Sequence, residues 1–221
     1  NSDSYSSIFK NAVFSTSDED DFQRVITALK NLSTGTDLEK YFNVDQILRY
    51  FAVHTTVVNL DSYVSNMQQN YCLYENDGKV TILPWDYNLA FGGFQSGTAS
   101  SAVNFPIDTP VSGIELSERP LLAKLLEVDE YKEKYHQYLQ EIVDGYFNSG
   151  LYEKTIDKVD SIISDSVKND ATAFYTYDEY VKGVDTLTQF GLLRAKSIQG
   201  QLDGTIPSTT DGQTDSDALI D

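Results

Sequence analysis

Apolar side chains recur at Phe22, Val25, Ile26, Leu29 and Leu32, a three- and four-residue spacing that predicts one face of a helix. Just before it, Ser17-Asp18-Glu19-Asp20-Asp21 offers an N-cap and an acidic first turn, and Gly35 beyond it allows a break. A second helix is expected to start near Asn43 or Asp45 and to run through Ile47, Leu48, Phe51, Ala52, Thr55 and Val58. Those positions leave it little polar face, which predicts deep burial. It should end near Asn59-Leu60-Asp61, where Asn and Asp favour a cap or turn.

Periodicity then shortens from helical to alternating. Asn70 to Glu75 reads as a strand, Asn76-Asp77-Gly78 as a turn, and Lys79 to Leu83 as a second strand, which together predict a hairpin. The hairpin leads into Pro84-Trp85-Asp86-Tyr87-Asn88 and Phe91-Gly92-Gly93. Residues 94 to 117, rich in Ser, Thr, Gly and Pro, read as one long loop. Helical spacing resumes from Glu118 to Val143, with later helices over about Leu151 to Lys168 and Tyr177 to Leu202. The sum is an α+β, mainly α-helical domain over residues 1 to 206 with one central β-hairpin, followed by a flexible polar tail or linker at 207 to 221.

Composition narrows the partners. The chain has 221 residues, 40% of them hydrophobic and 12% aromatic, the make-up of a globular domain rather than a disordered one. A net charge of −18 would repel a phosphate backbone or an anionic bilayer, so nucleic acid is not an expected partner. No apolar run approaches the roughly 18 residues that a membrane helix needs. The first residues lack both Met and a signal pattern, and are read as the start of a trimmed chain. Cys72 is the only cysteine, expected as a buried inert thiol.

Two carboxylates and an amide stand in an order that phosphoryl transfer can use. One carboxylate must receive the proton of an acceptor hydroxyl, while a second carboxylate and an amide oxygen hold Mg²⁺ against the phosphates. Asp61 ends the buried helix, Asn70 opens the hairpin and Asp86 follows it. Kinases place the Asn five residues after the catalytic Asp, which here is Asn66; Asn70 is favoured because it sits where a strand begins, with Asn66 in reserve. His-Arg-Asp and Asp-Phe-Gly are absent. Other candidates have plainer uses. His54 lies among apolar neighbours and reads as a core histidine that steadies the Asp61 loop, His136 as solvated, and Trp85 as packing under the metal loop. Two carboxylates could also serve a glycosidase, but nothing else in the sequence supports that.

Tyr50-Phe51-Ala52-Val53-His54, Asn59-Leu60-Asp61-Ser62-Tyr63, Asn70-Tyr71-Cys72-Leu73-Tyr74 and Pro84-Trp85-Asp86 followed by Phe91-Gly92 resemble the CotH family, the spore-coat protein H kinases. Asp108-Thr109-Pro110-Val111-Ser112-Gly113, Arg119-Pro120-Leu121 and Gly200-Gln201-Leu202-Asp203-Gly204 extend the resemblance. It implies a kinase-like C-lobe and an atypical protein kinase that uses ATP and Mg²⁺ to phosphorylate Ser residues of coat proteins. Asp61 matches the catalytic Asp, Asn70 and Asp86 the nucleotide- and metal-holding pair, and Asn88 stands where many members have a second Asp. No Gly-rich loop or strand-borne Lys precedes Asp61, so an N-terminal lobe is expected to be missing and this chain to bind nucleotide poorly. The acidic surface suits a basic, Ser-rich protein substrate. The resemblance also implies a spore-coat, secreted or surface protein, and leaves a non-catalytic adhesin or pseudokinase as the alternative.

Overall fold

A computed structural model describes residues 2–214 and 217–220. A short helix α1 (Ser6–Phe9) precedes α2 (Glu19–Thr34), where the predicted cap forms as a capping box. The Asp18 side chain accepts from the backbones of Asp20 and Asp21, and Asp21 answers the Asp18 N–H. Gly35 closes α2 at φ 67°, the left-handed conformation that glycine reaches without steric penalty. A single turn α3 (Leu38–Tyr41) leads to α4 (Val44–Thr56), capped by Asn43. Ile47, Leu48, Phe51 and Ala52 of α4 have no exposed surface, so its broad apolar face sits at the centre of the core, while Gln46, Arg49 and Val53 face outward.

Strands β1 (Tyr71–Asn76) and β2 (Lys79–Pro84) form one antiparallel hairpin, in register from Tyr71 opposite Pro84 to Asn76 opposite Lys79. Asp77 and Gly78 both have positive φ, as a tight two-residue hairpin turn requires. Val80 and Ile82 of β2 are buried, and the Val80 carbonyl accepts from the Asn43 N–H at 2.9 Å, which ties the hairpin to the start of α4. Glu75 also meets Arg24 of α2 at 3.0 Å.

The stretch expected to be one loop contains α5 (Ala99–Val103), capped reciprocally by Thr98 and Ser101. Five residues are too few to show a helical period, so only the cap could have revealed it. The helical region after it divides into α6 (Pro120–Leu126), with Pro120 in its first turn, and α7 (Asp129–Ile142), which widens into a π-helical turn at Val143–Asn148. Helices α8 (Leu151–Lys168) and α9 (Tyr177–Leu202) follow as expected. Tyr152 is the one buried residue of α8, whereas α9 buries its C-terminal part from Gly191 to Gln201. Much of this helical hairpin therefore stands away from the core. It is anchored where the Tyr152 ring lies so close to Gly191 that any Cβ there would collide, and where its hydroxyl donates to the Leu187 carbonyl at 2.6 Å.

Among the described residues the fold is mainly helical α+β with a single hairpin. The segment expected as a flexible tail makes defined contacts. Ser208 exchanges bonds with Asp108, Gln213 donates to the Asn104 carbonyl at 2.8 Å, and the Ile220 N–H donates to Asn104 Oδ1 at 3.1 Å. Residues 215, 216 and 221 of that segment lie outside the described residues.

Candidate active site

Helix α4 delivers the chain to Asp61 through a reversal at Val58, a buried residue held at φ 46°. A β-branched side chain rarely adopts that conformation, which carries a strain of about 1–2 kcal/mol. What holds it is a partner loop. The Phe91 N–H donates to the Val57 carbonyl and the Gly92 N–H to the Val58 carbonyl at 3.2 Å, with Phe91 itself at φ 59°. The Phe-Gly pair downstream of Asp86 is thus stitched to the turn that leads into Asp61.

Asp61 is buried, with 7% of its surface exposed. Asn70 Nδ2 donates to both its backbone carbonyl and its Oδ2 at 2.9 Å, and Gln69 Nε2 donates to Oδ1. Gln68 and Asn70, on either side of Gln69, both have left-handed backbones at φ 54° and 56°. The following loop is fixed from the far side. Arg119, itself buried, donates to the carbonyls of Tyr63, Ser65 and Glu118, while the Tyr63 hydroxyl accepts from the Leu121 N–H at 3.1 Å. The Ser112 N–H donates to the Val64 carbonyl at 3.0 Å. The segments around Asp108 and Arg119 singled out in the sequence, one of which contains Ser112, therefore brace the Asp61 loop.

Asp86 is exposed at the open end of the hairpin, with φ 51°, and its carboxylate makes no capping bond to the 3₁₀ turn Tyr87–Leu89 that follows. Since Tyr71 pairs with Pro84, Asn70 and Asp86 leave the same end of the hairpin, one on each strand. Asn88 is exposed in the turn after Asp86. Asn66 is exposed beside Gly113 and has no hydrogen bond to Asp61 among the described residues.

Two sequence-based expectations change, those for Trp85 and His136. His54 is buried as expected and touches both loops: its carbonyl accepts from the Asn59 N–H at 3.3 Å, two residues before Asp61, and its Nδ1 pairs with the Tyr87 hydroxyl at 2.7 Å while its ring stacks on Tyr50. Burial pulls its imidazole down to about 3, so it is neutral near pH 7. Trp85 does not pack under the loop; it lies just past the end of β2 and is 64% exposed. His136 is not free in solvent, since its Nε2 pairs with Asp108 Oδ1 at 2.7 Å. Gln69 was not singled out in the sequence. Only its place beside Asn70, which resembles a known motif, could have drawn attention to it.

The donor set suits a hard divalent cation shared with phosphate. Asn70 contributes its Nδ2 to Asp61 and leaves Oδ1 without a hydrogen-bond donor among the described residues, and the Asp86 carboxylate is open. Among the described residues no three His, Cys, Asp or Glu side chains gather in a group that could hold a metal. Beside the same loop an apolar groove of about 230 Å³ opens, lined in part by Tyr63, Gln68, Tyr71, Leu73 and Leu121.

No curated protein matches this chain. The family model described as CotH kinase protein matches residues 2–198, most of the chain. The chain belongs to the CotH kinase protein family.

Proposed function

We propose that this protein transfers the γ-phosphoryl group of ATP to a Ser or Thr hydroxyl of a protein substrate. The observation that carries the reading is the contact of Asn70 with Asp61, which couples a metal-holding amide to a proton-accepting carboxylate through one side chain. In this reading Asp61 orients the hydroxyl and takes its proton, Asn70 Oδ1 and Asp86 hold Mg²⁺, and Asn88 adds a neutral ligand. Mg²⁺ would neutralise charge on the phosphate oxygens. The groove beside Tyr63 and Tyr71 would seat the substrate chain, and the net charge of −18 favours a basic, Ser-rich segment such as a coat or surface protein could present.

The test is Mg²⁺-dependent ATP binding and phosphoryl transfer by the full-length protein. Loss of both in Asp86→Ala, and loss of transfer alone in Asp61→Asn, is the expected result. Transfer that survives either substitution would remove these roles. Raising salt should also weaken substrate binding if charge selects it.

A second reading, a non-catalytic binding module, has one observation in its favour. The outer part of the α8–α9 hairpin exposes Ile162 and the loop residues Phe174 and Tyr175, Phe174 at 97%. A full-length protein that binds its partner normally but neither binds nor turns over Mg²⁺-ATP would favour this reading.

A further inference from the structure

The structure points to a second group at the Asp61 carboxylate. Asn70 satisfies Oδ2, and Gln69 satisfies Oδ1 from the opposite flank, so the carboxylate plane is gripped at both oxygens by neutral amides. A carboxylate with one fixed oxygen can still rotate about its terminal torsion, which is broad and soft; fixing both oxygens removes that freedom. The flanking backbone is left-handed at Gln68 and Asn70, a conformation that asparagine tolerates and glutamine rarely adopts. Strained backbone of this kind persists where surrounding contacts over-determine it, and it gathers at functional sites.

Gln69 is also an exposed residue whose side chain makes no other hydrogen bond among the described residues. An exposed side chain contributes little to the core, so its one defined contact is with Asp61. We propose that Gln69 is a positioning residue for phosphoryl transfer. It holds the Asp61 carboxylate in the orientation that meets an incoming hydroxyl, and an amide does so without adding charge. This inference rests on the kinase reading above. It differs from that reading in assigning a role to a residue that touches neither metal nor nucleotide.

The experiment compares Gln69→Met, close in size but without the amide donor, and Gln69→Glu with wild type and Asp61→Asn in the full-length protein. The expected result for Gln69→Met is a fall in kcat of about 100-fold, the scale set by misorientation of a reacting group, with KM for ATP and the unfolding temperature close to wild type. Gln69→Glu, which sets a second carboxylate against Asp61, should fall further. If Asp61→Asn is inactive while Gln69→Met keeps wild-type kcat, the inference is overturned and the kinase reading stands. If Gln69→Met loses activity only in step with lost stability, the role is structural and the inference is overturned. If Asp61→Asn is active, or the wild type transfers no phosphate, both fail together.

Discussion

Asn70 Nδ2 lies 2.9 Å from the backbone carbonyl of Asp61 and 2.9 Å from its Oδ2, so one amide reads both the main chain and the side chain of the carboxylate. An amide has a donor end and an acceptor end. With the donor end committed to Asp61, the acceptor end is the part left to a cation. The same geometry sets Asn66 apart, which the sequence alone left in reserve.

Replacing Asn70 with glycine separates side chain from backbone. Glycine adopts the φ of 56° held by Asn70 without strain, so Asn70→Gly should fold with an unfolding temperature within a few degrees of wild type. Mg²⁺-ATP turnover by the full-length protein should nonetheless fall by about 100-fold. Turnover at the wild-type rate would show that the Asn70 side chain has no part in the site.

Asn88 tests the metal side. Asn88→Asp adds a negative charge in the turn after Asp86 and should tighten Mg²⁺, measured as the half-saturating concentration for nucleotide binding, by roughly three- to tenfold. Asn88→Ala should loosen it modestly. If neither substitution moves the Mg²⁺ dependence, Asn88 is not a ligand.

The buried His54 predicts how stability varies with pH. Its folded-state value of about 3 lies below the ordinary 6.5, so the unfolded chain binds the extra proton between those limits. Stability is complete above about pH 6.5 and declines as pH falls toward 3, by up to about 1.4 kcal/mol per unit. Asp108 acts at lower pH. Burial opposes its ionisation, but hydrogen bonds from His136 and Ser208 and the charge of Lys132 hold it below the usual 3.8, so its contribution fades only beneath that value. Urea midpoints measured from pH 7.5 to 4.5 should therefore slope in wild type and flatten in His54→Gln. Equal slopes would show that His54 is not kept neutral by the fold.

Arg194 is fully buried on α9 and donates to the carbonyls of Val103, Phe105 and Thr55, joining the α5 exit to the last turn of α4. Burial draws its guanidinium down to about 9, which leaves it protonated near pH 7. Arg194→Met would strand three buried carbonyls, and the expected loss is at least about 3 kcal/mol in chemical denaturation. A loss under about 1 kcal/mol would mean that those carbonyls find other donors.

Features that neighbouring residues decide together were legible in the amino-acid order. The cap at Asp18, the broad apolar face of α4, the Asp77-Gly78 turn and the span of α8 are all set within a few positions, where spacing and local hydrogen bonds act. The order Asp61, Asn70, Asp86 was legible too, because that order is a property of the chain. Which side chains meet follows instead from how distant segments pack. The grip of Gln69 on Asp61, the pairing of His54 with Tyr87 and the brace from Arg119 join residues 8, 33 and more than 50 positions apart. Several of these contacts depend on left-handed backbone at Val58, Gln68, Asn70, Asp86 and Phe91, a conformation that Asn and Asp tolerate but Val, Gln and Phe rarely adopt. Such conformations persist because packing and cross-loop hydrogen bonds outweigh local preference, and no local pattern in the sequence records that balance.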